Sequence, residues 1–435
     1  MITLLIIVNI LLLAYPLLNN NKEWFSPPVL FAILMFTYTF PDFVDILLLG
    51  PKDYINNLIF DTYCDPEYAI ARMLVIQALF VIVYYISFKK FFQIKNAHDI
   101  IQSSYEYRPI SLYSFSILIF CFCLIVSISY ISEIGGLSAL FMSFTRREDL
   151  WESQGIAQTI APTLMTIGSA LYMKFLSTSS KKHYLSTALM LMAGCLTYIL
   201  NGGRSQLIVF IISILCFYNF WFKKVNLLSV KYIPLYLLML VFILAFQLLR
   251  FEETRELSSS MMIDNFSSVF DSMAYIKTQI LIETYFDRHE FWFGKVYTFL
   301  VYLFVPRSIM PNKPFIDEGV YIYNMIDNKG NLLDNLDLVN SWPPYTSGIG
   351  YANFGIIGVI IGAIILAYIH SFLYRKILKN NFPVFQMILY IYIILKFQLT
   401  IFYLANVVYL MIQLYLFAFV FNFFSRKYKT HNNTI

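Results

Sequence analysis

Between its first residue and residue 424 the chain repeatedly runs for about 17–25 residues with scarcely a charge, the length that crosses a bilayer as a helix. Such runs are expected near 2–18, 28–49, 68–88, 110–132, 159–178, 184–200, 206–222, 232–249, 348–369, 383–400 and 404–424. A chain that buried this much apolar length in water would lack polar surface to cover itself. Only 13% of its residues are charged and 59% are hydrophobic, against roughly 25% charged in soluble chains. Lipid must then be the solvent for much of it, and in lipid every backbone group has to be satisfied inside its own segment. The expected fold class is therefore an all-α polytopic membrane protein of about eleven transmembrane helices. Pro41, Asp42 and Asp45 interrupt the second run, and Lys396 lies near the end of the tenth.

Charge placement supplies the orientation. Lys89, Lys90 and Lys95, then Lys181 and Lys182, then Lys223, Lys224 and Lys231, then Arg375, Lys376 and Lys379, and finally Arg426, Lys427 and Lys429 fall in alternate connections. Short cytoplasmic loops collect Lys and Arg, so these are expected inside, the N-terminus outside and the tail inside. The formal charge of +5 is spread over these clusters and points to no nucleic acid. The first run begins at Ile2 with no basic leader and no small-residue cleavage site, the pattern of a retained helix. Cys121, Cys123, Cys195 and Cys216 lie in apolar runs and Cys64 in a polar loop, with no metal or disulfide spacing.

Three regions follow: helices over 1–249, a large outer loop over 250–347, and helices with a tail over 348–435. A structureless connection of that length is uncommon, so the loop is expected to be functional. Within it, 262–285 reads as helical and Val296–Val305 as a short helix at the interface or against the bundle. The Pro-, Asn-, Asp- and Gly-rich stretch Pro306–Pro344 reads as an ordered lid or irregular loop. No Gly-rich phosphate loop or soluble catalytic domain is present in the sequence.

Cations expected outside oppose the positive-inside tendency and are the informative ones. Arg204, in Asn201-Gly202-Gly203-Arg204-Ser205, reads as a ligand-phosphate clamp or as a snorkel to lipid phosphate. Arg307 follows Val305-Pro306 at interface depth, with Lys313 and Pro314 after it. Arg250 and Arg255 open the loop, and Arg146 and Arg147 sit beside Glu148, Asp149 and Glu152 as a self-paired surface. His289, Asp317 and Glu318 are the candidate proton acceptors outside. Trp292, Tyr321, Tyr323 and Trp342 offer rings for stacking on sugars, or for ordinary packing. No spacing argues for a metal. Arginines at headgroup depth suit a substrate with a lipid tail and a diphosphate head, and would stabilise charge on the departing diphosphate.

Gly202-Gly203-Arg204-Ser205 leading a span, Val305-Pro306-Arg307 before Lys313-Pro314, and Tyr351-Ala352-Asn353-Phe354-Gly355 before Gly358 and Gly362 together resemble the O-antigen polymerases of the Wzy type. The resemblance implies a GT-C-like glycosyltransferase of the bacterial inner membrane, working at the periplasmic face without cofactor, metal or nucleotide sugar. Undecaprenyl-diphosphate-linked oligosaccharide would be both donor and acceptor, with membrane lipids around it and a polysaccharide chain-length regulator as a further partner. It implies diphosphate- or glycan-binding roles for Arg204 and Arg307. Arg250, Lys313, Trp292, Tyr321 and Trp342 complete the expected substrate contacts. The rival expectations are an O-antigen ligase and a flippase for lipid-linked oligosaccharide. A transporter would be expected to carry internal pseudo-symmetry, which the chain lacks.

Overall fold

The computed structural model describes residues 1–18, 23–56, 65–93, 105–133, 136, 155–179, 183–200, 204–227, 229–234, 237, 276–306, 308–326, 341–380, 383–396, 398–425 and 427–429. Its helices are α1 (Ile2–Leu18), α2 (Pro27–Leu49), α3 (Pro51–Asn56), α4 (Pro66–Gln93), α5 (Pro109–Glu133), α6 (Gly155–Thr178), α7 (Tyr184–Leu200) and α8 (Arg204–Trp221). After the long connection come α9 (Ile276–Phe286), a 3-10 helix (Lys295–Tyr302), α10 (Glu318–Ile326), α11 (Thr346–Lys379), α12 (Val384–Lys396) and α13 (Ile401–Phe424). Two strands of three residues, β1 (Tyr105–Tyr107) and β2 (Lys427–Lys429), pair antiparallel. Proline opens α2, α3, α4 and α5, where its missing N–H costs nothing and its fixed φ is already helical.

Among the described residues five helices are long and apolar enough to cross a membrane: α2, α4, α5, α11 and α13. Four shorter apolar helices accompany them, within α1, α7, α8 and α12. The expected run 232–249 lies mostly outside the described residues, as do 262–275, Arg250 and Arg307. The other expected runs are helical.

Helices α4 and α11 form the centre and run parallel. Arg72 and Tyr351 meet through Asp287 at one end, and the rings of Phe92 and Tyr374 stack 5.7 Å apart at the other. Between them Tyr84 and the Nδ1 of His370 lie 2.8 Å apart, with Phe31 of α2 stacked on Tyr84 at 3.9 Å. About half of the apolar window of each central helix is buried in protein (56% and 50%), against 28% for α5 and 22% for α13, which therefore lie outermost. Exposed Ile125, Ile128, Phe419, Phe423 and Phe424 on the outer pair are solvated by hydrocarbon at no cost.

The ends of this bundle differ. At the far end Glu23 receives Lys224 at 3.1 Å and the Tyr374 hydroxyl at 3.2 Å, bringing the finishing ends of α8 and α11 together. At the near end Arg72 of α4 and Tyr351 of α11 meet at Asp287 just past α9, and the start of α13 lies beside Thr346 of α11 and Glu318 of α10. Within the stretch Pro306–Pro344, expected as an ordered lid or irregular loop, stands the nine-residue helix α10. The Asp317 carboxylate accepts the Gly319 N–H at 2.9 Å, an N-cap arrangement that starts the helix. Val320, Tyr321 and Asn324 then fall on one buried face. The short helix expected at Val296–Val305 is present as the 3-10 helix, tied to the last span region by Tyr297 OH donating to Leu399 O at 2.8 Å and Tyr409 OH to Leu303 O at 3.2 Å.

Candidate functional site

Gln279, Glu283 and Asp287 recur every four residues, so one face of α9 carries an amide and two carboxylates. That face meets Arg72, in the first two turns of α4. Arg72 Nε reaches Glu283 at 3.4 Å, and Nη1 pairs closely with Asp287. The Gln279 amide donates to Glu283 at 2.7 Å, and Ser347 donates to Gln279 at 3.0 Å. Tyr351 OH donates to the second oxygen of Asp287 at 2.7 Å. Three helices are thereby joined by one polar network. Glu283 is completely buried, and burial pushes its carboxyl up to about 7 despite the opposing pull of Gln279 and Arg72. Arg72 Nη2 is buried with no partner among the described residues.

Beyond Asp287 the chain turns through Arg288, His289 and Glu290, all exposed. A break in α11 fixes the far side of this turn. Phe354 (φ −146°, ψ 19°) and Gly355 (φ 62°, ψ −145°) leave the helical region, and a positive φ of this kind suits glycine. The carbonyls freed by the break are taken up by the turn. Trp292 N–H donates to Ala352 O at 2.9 Å, Phe293 N–H to Asn353 O at 3.2 Å, and Gly294 N–H to the Asn353 side chain at 2.9 Å. The Tyr351–Gly355 motif is therefore a bracket for residues 287–294.

His289 stands exposed on this bracketed turn. Its Nδ1 lies 2.9 Å from the Tyr285 carbonyl, and a carbonyl only accepts, so Nδ1 carries the hydrogen. The neutral ring then has its lone pair on Nε2, pointing away from that bond. Tyr285 stacks on the imidazole at 3.9 Å and 9°, which fixes the plane of the ring.

The other proton-acceptor candidates are more enclosed. Glu318 is fully buried, and its carboxylate receives the N–H groups of Ile401 and, at 3.4 Å, Phe402, so it caps α13. Burial outweighs these bonds and pushes it up to about 8. Asp317 accepts from Gly319 and, at 2.9 Å, from the Ser341 hydroxyl. Lys313 Nζ donates to Val305 O at 2.9 Å. Trp292 (4% exposed) packs edge-on against Phe286, and Tyr321 (3%) beside Phe299 with its hydroxyl on Phe315 O. Those two rings belong to the interior in this structure. Trp342 is half-buried against Tyr323.

No family model, curated protein or solved structure matches this chain. What the site does must be argued from its own chemistry.

Arg204 opens α8. Helix α8 finishes at the Glu23 end of the bundle, where Lys224 follows it. Beneath the Arg72 network lies a cavity of about 20 Å³, walled by Tyr38, Thr39, Gln77, Gln279, Tyr345 and Ser347 among others. That is room for one water, not for a sugar. Among the described residues no group of His, Cys, Asp and Glu converges as a metal would need. Arg72 escaped the reading of loop cations because it sits inside a spanning run. An ionisable residue within such a run is a signal in itself, and its partners stand at four-residue spacing on α9.

Proposed function

We propose that this chain is a glycosyltransferase of the bacterial inner membrane. It polymerises polyprenyl-diphosphate-linked oligosaccharide repeat units into O-antigen or a related surface polysaccharide at the periplasmic face. The finer architecture belongs to the same proposal: eleven spans, a GT-C-like arrangement, and the large loop outside.

One observation carries the reading. A rigidly bracketed, exposed His289 stands at the near end of the bundle, while Lys224 and Lys376 belong to the opposite end. This is the division of labour that a transfer on one leaflet needs. In the proposed step an acceptor sugar hydroxyl attacks the anomeric carbon of the donor glycan. The bond from that carbon to the phosphate oxygen breaks, and polyprenyl diphosphate leaves with the electron pair. His289 Nε2 takes the hydroxyl proton as general base, a role worth about 10²–10⁴ in rate. Arg204, Arg307 and Arg250, with Lys313, hold the diphosphate and stabilise its charge as it departs. The activated donor supplies the driving force. Asp317 and Glu318, both engaged in holding helix starts, shape the loop around the site.

Deleting the gene and displaying surface polysaccharide on a gel tests the reading. The expected result is collapse of the ladder to a single attached repeat. Loss of every attached unit points instead to a ligase or a flippase and overturns the proposal.

A further inference from the structure

We infer that Arg72 is the positioning residue of this site, acting on catalysis through the turn that presents His289. The inference rests on the glycosyltransferase reading above and extends it to a residue that the substrate does not touch.

Among the described residues the imidazole of His289 has a single hydrogen bond of its own, to Tyr285, and one stacking partner. Its place relative to the bundle is therefore set by the two ends of its turn. The later end is held by backbone bonds from Trp292 and Phe293 to the break in α11. The earlier end is held by Asp287, and Asp287 is held by Arg72 and Tyr351. Arg72 alone among these ties comes from α4, and it also grips Glu283 one turn earlier on α9. Two carboxylates four residues apart fix the rotation of α9 as well as its distance from α4. A guanidinium does this because its nitrogens lie in a rigid planar fork; an ammonium is a single point and can serve one carboxylate at a time. Displacement of a catalytic group by about 1 Å can cost on the order of 10²-fold in rate.

The conservative variant Arg72→Lys keeps the charge beside Glu283 and Asp287 but not the fork. The test uses the full chain in lipid nanodiscs and lipid-diphosphate-linked repeat units extracted from cells lacking it. Initial rates are measured against acceptor concentration for wild type, R72K, H289A and the double variant. R72K is expected to lower kcat by about 10²-fold with KM within about threefold of wild type. In the H289A background R72K is expected to change nothing further, because the group it positions is gone.

A merely structural role gives a different pattern, with R72K lowering the rate by the same factor in both backgrounds. That result overturns the inference, as does full activity of R72K. Inactivity of the wild-type chain on these substrates overturns the function itself, a failure distinguishable from the other two. Should R72K fail to insert, Tyr351→Phe removes the other tie on Asp287. It is expected to show the same dependence on His289, and an equal effect in both backgrounds is again fatal.

Discussion

Glu318 shows how a single side chain can serve two ends. Its carboxylate satisfies the first free N–H groups of α13, yet the site is sealed from water, and the proton is held up to about pH 8. Its folded pKa lies above the ordinary value of 4.5, so the fold favours the protonated form. The stabilisation is complete below about pH 4.5 and is lost as pH rises through about 8. Glu318→Gln cannot ionise. Melting temperatures in detergent should therefore show wild type losing ground to E318Q from about pH 5 to about pH 9; a constant gap would discard this account. The residue type and its nearness to Pro314 marked Glu318 as chemically interesting, but the partner that defines it, the start of α13, is 83 residues away. The same limit applied to Trp292 and Tyr321. An aromatic in a polar-looking loop reads as available for stacking until the packing of Phe286 or Phe299 around it is known.

At the scale of elements, the apolar runs located the helices well because length and hydrophobicity decide them together. The breaks were less legible. The last two helices were expected over 383–400 and 404–424, whereas α12 stops at Lys396 and α13 starts at Ile401, with Thr400 capping it through Tyr403 N–H at 3.3 Å. The start of α11 holds several glycines, and nothing in their spacing says which one bends. Gly355 does, at φ 62°, with the Phe291 ring 3.1 Å from where a Cβ would stand. Gly355→Ala should cost about 1–2 kcal/mol for the left-handed backbone, plus displacement of Phe291, and should release the turn that carries His289. The variant is expected to insert, melt a few degrees lower, and lose most of the proposed polymerising activity. Retained activity at the lower melting temperature would separate the bracket from the chemistry.

For the molecule as a whole, the bundle has two polar ends: Glu23, Lys224 and Tyr374 at one, Arg72, Asp287 and Glu318 at the other. The proposed orientation puts the second end outside. Single cysteines at positions 289 and 224, in a background with Cys64, Cys121, Cys123, Cys195 and Cys216 replaced, test it with a maleimide that cannot cross the membrane. Spheroplasts should be labelled at 289 and spared at 224; the reverse would invert the whole arrangement. The parallel pairing of α4 with α11 was not readable from the sequence, since 280 residues separate their starting points, Pro66 and Thr346.

That central pair is clasped near both extremities, by Arg72, Asp287 and Tyr351 above and by stacked Phe92 and Tyr374 below. A pair so clasped is a poor hinge. Whatever widening the proposed lipid-borne glycan requires then falls to α5 and α13, whose flanks are mostly unburied by protein. Deuterium uptake would register the contrast as a slow spine within a faster-exchanging rim.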